Sequence, residues 1–150
     1  MNLESHVYWM KLALAEAQKA FEEDEIPVGA VLVKDDEIVI AEHNRTRQLS
    51  DPLAHAEKLI IDKILRSKIK YLQDYRLYVT LEPCLMCAGS IILSRLGCLV
   101  FGASDPKSGA VGSLYNVLAD KSLNHRPTVL RGVLEAECGG LLKSFFQNRR

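Results

Sequence analysis

Two short segments carry metal-binding residue types, and any fold that uses them must bring the segments together. The first is His55-Ala56-Glu57 and the second is Pro83-Cys84-Leu85-Met86-Cys87. One imidazole and two thiols are ligands that zinc prefers, and three protein ligands leave a fourth position open, as in catalytic zinc sites. The sequence therefore predicts that one zinc ion per subunit binds His55, Cys84 and Cys87.

Glu57 is the predicted proton-transfer residue of this site, because a carboxylate beside a zinc-activated water can take up and return protons. On a helix, residues two positions apart point to nearly opposite sides. We therefore expect the metal to lie beyond the end of a helix, where both His55 and Glu57 reach it. A lone C-x-x-C pair also fits a redox pair or half of a closed structural zinc site. The candidates for a fourth ligand of such a closed site are His43, Cys98, His125 and Cys138.

The composition bounds the class of protein. The chain has 150 residues, of which 48% are hydrophobic and 25% are charged, which is typical of one globular domain spanning 1–150. No apolar run is long enough to span a bilayer and no secretory signal is evident, so we expect a cytoplasmic protein with reduced thiols and no membrane association. The net charge of zero disfavours RNA binding through an overall basic charge but permits a local basic patch.

Hydrophobic periodicity predicts helices that alternate with strands. The predicted helices are 7–21, 54–65, 84–95 and 134–148, and the predicted strands are 28–33, 37–41, 75–80, 98–101 and 128–133. We expect a helical turn near 114–118, a solvated acidic turn at 22–25, and a surface position for His6. This order predicts an α/β fold, a three-layer α/β/α sandwich around one sheet.

The pattern H-x-E followed by P-C-x-x-C is typical of zinc-dependent nucleobase deaminases, and further segments resemble the bacterial tRNA adenosine deaminase family. These segments are 26–33, 44–45, 51–57, 81–89, 100–103, 105–107, 109–110, 112–114, 124–126, 145–146 and 149–150. The zinc motif alone also fits cytidine, cytosine and guanine deaminases. The segments after Phe101 are the ones that distinguish the tRNA enzymes.

This resemblance implies a cytidine-deaminase-like fold with a five-stranded mixed sheet. It also implies a homodimer that converts adenosine to inosine at the wobble position of a tRNA anticodon, arginine tRNA being the usual substrate, with Glu57 as proton shuttle. Asn44 would hydrogen-bond the flipped base, with the backbone of Ala56 near it. Further implied RNA contacts are Asp105, Lys107, Asn124, Phe145, Arg149 and Arg150. One of Phe145 and Phe146 is expected to pack inward while the other meets a base.

Two other functions remain open from the sequence. One is deamination of a free base or nucleoside, such as guanine or cytosine, which uses the same zinc chemistry without an RNA surface. The other is a non-catalytic, zinc-stabilised RNA-binding protein, for which Glu57 would have no chemical role.

Overall fold

The alternation of helices and strands is present in the computed structural model, which describes residues 2–149. The helices are α1 (Leu3–Glu22), α2 (Ala56–Arg66), α3 (Leu85–Leu93) and α4 (Glu135–Gln147). The strands are β1 (Gly29–Lys34), β2 (Glu37–His43), β3 (Arg76–Leu81), β4 (Cys98–Ala103) and β5 (Thr128–Leu130). Helix α1 begins before the predicted position because the side chain of Asn2 accepts a hydrogen bond from the backbone N–H of Ser5 and caps the helix.

The five strands form one mixed sheet in the order β2-β1-β3-β4-β5. Strand β1 pairs antiparallel with β2 and β3, whereas β3, β4 and β5 run parallel. Successive side chains of a strand point to opposite faces. Ala30 and Leu32 therefore join the core under α2 and α3, while Val31 and Val33 join the core under α1 and α4. The predicted three-layer sandwich is confirmed.

The topology places the functional segments at one edge of the sheet. Helix α3 starts just after β3 ends, and parallel β4 ends at the same edge. In open sheets of this kind, ligands bind beyond the carboxyl ends of parallel strands. None of the helices within residues 2–149 combines the length and apolar character needed to cross a bilayer.

Two boundaries at the C-terminal side of the chain differ from the prediction. Strand β5 ends at Leu130 instead of continuing to Val133, because Gly132 has a φ of +79° and Leu134 has a φ of +55°. A left-handed backbone breaks the extended conformation of a strand. The predicted turn at 114–118 is a 3₁₀ turn at Val117–Ala119.

Two predicted surface groups are buried. His6 is only 6% exposed, and its Nδ1 lies 2.8 Å from the hydroxyl oxygen of Tyr78. The expectation of a fully solvated acidic turn is wrong at Glu25, which is fully buried. The carboxylate of Glu25 accepts hydrogen bonds from the backbone N–H groups of Arg47 and Gln48, so this residue holds a distant loop.

Candidate metal centre and active site

The three predicted metal ligands lie at the N-termini of two helices. His55 is the N-cap residue of α2 and Cys84 is the N-cap residue of α3, each with extended backbone, while Cys87 is buried in the first turn of α3. The partial positive charge of a helix N-terminus stabilises thiolates. This charge favours the thiolate form of Cys84, whereas the hydrogen bond with Cys84 and burial raise the pKa of Cys87.

The separations of the ligand atoms fit a tetrahedral zinc ion. The Nδ1 atom of His55 lies 3.5 Å from the Sγ of Cys84 and 3.7 Å from the Sγ of Cys87. Zinc–sulfur bonds of about 2.3 Å and zinc–nitrogen bonds of about 2.0–2.1 Å at the tetrahedral angle require about 3.6 Å between S and N. Within residues 2–149, no candidate fourth ligand belongs to this group, which is therefore an open three-ligand site.

Hydrogen bonds within the group set the protonation of its members. The hydrogen bond with Cys87, supported by that with His55, lowers the pKa of Cys84 to about 4 although burial opposes the shift. The hydrogen bond with Cys84 in turn raises the pKa of His55. Because zinc binds thiolate and neutral imidazole, metal binding releases the protons that these groups still hold.

Glu57 faces the same site from the first turn of α2. Its side chain is 4% exposed and lines the cleft beside His55 and Cys84. Burial raises the pKa of Glu57 to about 7, so its carboxyl group can gain or lose a proton near neutral pH. Since His55 precedes the helix with extended backbone, its side chain and that of Glu57 both reach the end of α2, as the sequence predicts.

His55 and Cys84 line a cleft of about 640 Å³, and the buried Cys87 lies beneath them beside His55; these three residues are called the floor of the cleft. Asn44 lies in its wall, where the side-chain Oδ1 accepts a hydrogen bond of 2.9 Å from the backbone N–H of Ala56. The backbone of Ala56, which is expected to lie near the base, thus holds the side chain of Asn44 in this structure. The residues that line the cleft are Ile26, Val28, Asn44, His55, Glu57, Leu81, Glu82, Cys84, Ala103, Ser104, Asp105, Pro106, Lys107, Ser108, Gly139, Leu142 and Phe146.

Glu82 organises the loop at the rim of the cleft, a role that sequence reasoning missed. Its carboxylate is buried and accepts hydrogen bonds from the backbone N–H groups of Asp105, Val111 and Ser113 and from the Ser113 hydroxyl. Although burial opposes it, these bonds lower the pKa of Glu82. Gly109 allows the close approach, since a Cβ there would lie 2.3 Å from the Cδ of Glu82.

The structure places the predicted RNA contacts in different regions. Asp105 and Lys107 line the cleft, whereas Phe145 is only 3% exposed and packs edge-on against Phe21. Phe145, which the sequence predicts as a substrate contact, is therefore turned into the core, and its neighbour Phe146, which is 51% exposed, lines the cleft instead. The two adjacent residues lie on different sides of α4, and the sequence did not show which side faces inward.

Two further predicted RNA contacts, Asn124 and Arg149, are not among the residues that line the cleft. Asn124 is exposed, and the adjacent His125 contacts the carbonyl oxygen of Leu96 at 2.6 Å, just before β4 begins. Ala103, at the other end of β4, lines the cleft, so Asn124 is separated from the cleft of its own subunit. Arg149 forms an ion pair with Asp24. Arg150 lies outside the described residues.

The open His/Cys/Cys site, its adjacent carboxylate and the cleft above them define the class: a zinc-dependent hydrolytic deaminase. The profile of the cytidine and deoxycytidylate deaminase zinc-binding region matches residues 3–103. The chain belongs to this family and, within it, to the group that contains the tRNA-specific adenosine deaminases.

Sequence relatives and solved structures support this assignment. The tRNA-specific adenosine deaminase of Bacillus subtilis is 48% identical over 143 residues, which cover 95% of this chain and 89% of that protein. The Aquifex aeolicus tRNA-specific adenosine deaminase is 46% identical over 144 residues, 95% of each chain. A structure from studies of A-to-I editing by tRNA:A34 deaminases at the wobble position superposes with a TM-score of 0.85 at 43% identity, covering 89% of this chain and 98% of the other.

A guanine deaminase of known structure shares the same fold. The Bacillus subtilis guanine deaminase superposes with a TM-score of 0.63 at 31% identity, covering 79% of this chain and 74% of the other. The match is weaker in every measure than that of the tRNA:A34 deaminase.

Proposed function

We propose that the chain is one domain that deaminates adenosine to inosine at the wobble position of a tRNA anticodon. We propose arginine tRNA as its substrate and the cytoplasm as its location. The observation that carries the proposal is the cleft in which Asn44 and Glu57 face an open three-ligand metal site. The similarity to tRNA:A34 deaminases over 89% of the chain supports the choice of substrate.

Glu57 is the proposed proton shuttle. Zinc, when bound by His55, Cys84 and Cys87, makes water available as a nucleophile at neutral pH. Glu57 would take one proton from that water and pass it to a ring nitrogen of adenine as the water oxygen bonds to the ring carbon that carries the amino group. Glu57 would then take the remaining proton of that oxygen and give it to the amino group, which leaves as ammonia when the C–N bond breaks. The buried position of Glu57 beside His55 and Cys84 suits both directions of transfer.

The cleft walls would bind the base and the adjacent nucleotides. The Oδ1 of Asn44 is held by Ala56, which leaves the Nδ2 group to donate to the base. Phe146 offers an aromatic face at the rim, where Asp105 and Lys107 also lie, and unstacked RNA bases stack on such rings. A target base must leave its stack to reach a buried site, so we propose a single-stranded anticodon loop as the segment that enters.

The test is an inosine assay on an arginine anticodon stem-loop that carries a wobble adenosine. We expect the zinc-loaded protein to form inosine, and Glu57→Gln to retain zinc while losing about 10²–10⁴-fold in rate. Unchanged activity in Glu57→Gln would refute the shuttle. A non-catalytic RNA-binding protein would form no inosine, either as the wild type or as Glu57→Gln.

Deamination of a free base is the second candidate, favoured by the match to guanine deaminase. Released ammonia is measured for the wild type with guanine, cytosine and their nucleosides under the same conditions. Turnover of guanine without inosine formation in the stem-loop would replace the first proposal by the second.

We further propose a homodimer, on the basis of an unpartnered apolar face of α3. Leu85, Gly89 and Leu93 recur every four residues on this face. Leu85 is 54% and Leu93 is 81% exposed, and a Cβ placed at Gly89 meets nothing within 4 Å. Large exposed apolar patches are typical of protein–protein interfaces.

A substitution on this face separates dimerisation from folding. Gly89→Arg has room in the single chain and improves helix propensity, so we expect a folded monomer by sedimentation. Val39→Arg, at a 42% exposed position on edge strand β2, is the matched control and should remain dimeric. A monomeric wild type, or a dimeric Gly89→Arg variant, would contradict the α3 interface.

A further inference from the structure

We infer that His43, clamped between two glutamates of the first helix segment, is a positioning residue that holds Asn44 in the cleft. The inference rests on the proposed function insofar as Asn44 binds the substrate. His43 is the last residue of β2, and Asn44 follows it directly.

The imidazole of His43 has a carboxylate on each side. Its Nδ1 lies 3.0 Å from Oε1 of Glu16, and its Nε2 lies 2.8 Å from Oε2 of Glu23. The ring is buried, with 3% of its surface exposed. The carboxylates of Glu16 in α1 and of Glu23, the C-cap residue of α1, therefore both contact the side chain of His43 at the end of β2.

This arrangement makes the ring of His43 the common hydrogen-bond partner of the two carboxylates. An ionised carboxylate only accepts hydrogen bonds, and a neutral imidazole donates from one nitrogen only. Both contacts are satisfied together when both nitrogens carry a proton. Burial opposes ionisation of Glu16, but hydrogen bonds from Lys19 and His43 outweigh it and lower the pKa of Glu16.

The charged groups around the ring lie on α1 and its C-cap, on β2, on α2 and in the loop after β2. The Nζ of Lys19 lies 2.7 Å from Glu16, and Arg45 lies 3.7 Å from Glu23. Glu42, on the same strand, pairs with Arg45 and with Lys63 of α2. The charged groups of this network are Glu16, Lys19, Glu23, Glu42, Arg45 and Lys63.

The contacts of His43 affect the cleft because the next residue along the backbone, Asn44, lines it. The N–H of Asn44 donates to the carbonyl oxygen of Val28 at 3.0 Å, and its Oδ1 accepts from Ala56. The end of β2 is thus tied to α1 through His43 and to α2 through Asn44. Loss of the imidazole ring leaves Glu16 and Glu23 without their common partner, and the two carboxylates then repel each other beside Asn44.

His6 provides a matched control. It is also buried, at 6% exposure, but within residues 2–149 its ring contacts one side-chain hydrogen-bonding group, the hydroxyl group of Tyr78. Its ring does not line the cleft. Substitution of His6 therefore measures how far the removal of a buried histidine outside the cleft changes KM and kcat.

The activity test compares His43→Gln with His6→Gln in the zinc-loaded enzyme. For His43→Gln we expect KM for the substrate to rise about tenfold and kcat to stay within about twofold, because binding through Asn44 is lost while the metal and Glu57 remain. We expect Glu23→Gln, added to His43→Gln, to restore part of the KM by removing one unpaired carboxylate. An equal rise of KM in His6→Gln would overturn the inference. The substrate is whichever of the stem-loop or free base the wild type deaminates.

A nuclear magnetic resonance measurement tests the clamp without activity. With ¹⁵N-labelled histidine, both ring nitrogens of His43 should show hydrogen bonds to a carboxylate, and these signals should vanish in His43→Gln. The side-chain amide signal of Asn44 should shift in His43→Gln and remain in place in His6→Gln. Absence of a hydrogen bond at either ring nitrogen, or an unmoved Asn44 signal, would overturn the inference even where the proposed function holds.

Discussion

The floor and the rim of the cleft are built in different ways. The floor takes its ligands from two helix N-termini, with His55 lying 29 positions before Cys84 and 32 positions before Cys87. The rim consists of two loops, each held by one buried glutamate. One is the loop at 44–55, whose ends Asn44 and His55 line the cleft and whose middle is held by Glu25; the other is the loop at 105–113, held by Glu82. The floor therefore depends on side chains that bind a metal, and the rim depends on carboxylates that bind backbone N–H groups.

This difference separates chemistry from substrate placement. A helix N-terminus fixes a ligand within a rigid element, whereas a loop without regular structure needs an anchor from elsewhere in the chain. Removing a floor residue should abolish the reaction in a folded protein. Removing a rim anchor should weaken substrate binding and stability while the metal remains.

The largest expected effect is at the floor. Cys87→Ser replaces a zinc-binding thiolate by a hydroxyl group of similar size, so we expect zinc content and deamination both to fall below detection. The core clusters on both faces of the sheet contain none of the three metal ligands, so we expect the far-ultraviolet circular dichroism to be retained. Loss of that spectrum would show that the floor is also a folding element.

The next effect is at the Glu82 anchor. Glu82→Gln places an NH₂ group among backbone N–H donors that have no other acceptor, at a cost of about 2–4 kcal/mol in the free energy of unfolding. We expect a several-fold rise in KM with zinc retained, measured by urea unfolding and the inosine assay. Glu37→Gln, at an exposed position of β2, is the control and should change neither quantity.

The sequence predicted the floor far better than the rim, for a physical reason. Zinc ligands are chemically distinctive and occur in short motifs, so His55, Cys84 and Cys87 were identifiable without a structure. The donors of Glu82 lie 23 to 31 positions away, and nothing local distinguishes this carboxylate from a solvated one. Glu25 also had no local signal of burial, because the acidic run at 22–25 is typical of a solvated turn. No local signal decided which of Phe145 and Phe146 faces inward.

A smaller effect is expected at the Glu25 anchor. Glu25 accepts hydrogen bonds from two backbone N–H groups and from the side-chain amide of Gln48, fewer donors than Glu82 holds. We expect Glu25→Gln to cost about 1–3 kcal/mol, measured by the same urea unfolding. A larger loss than that of Glu82→Gln would reverse the ranking of the two loops.

Acid should loosen the rim through these same carboxylates. The pKa values of Glu25 and Glu82 are lowered because hydrogen bonds outweigh the effect of burial. Each group therefore stabilises the fold fully above its unfolded pKa of about 4.3, and this contribution is lost as the pH falls through the lower folded pKa. The amide proton shifts of Asp105, Val111 and Ser113 should titrate together below that value, and a midpoint above it would contradict the anchor.

The smallest expected effect concerns Arg149, which tests whether a charge outside the cleft lining serves the fold or the RNA. Its guanidinium pairs with Asp24 and lies 3.7 Å from the ring centroid of Phe145. Because exposed ion pairs contribute about 0–1 kcal/mol, we expect Arg149→Gln to change the free energy of unfolding by no more than about 1 kcal/mol. If Arg149 instead exchanges Asp24 for an RNA phosphate, the same variant should reduce the salt dependence of stem-loop binding by about one counterion. An unchanged salt dependence would assign Arg149 to the fold alone, and Lys107, which lines the cleft, would be the better candidate for a phosphate contact.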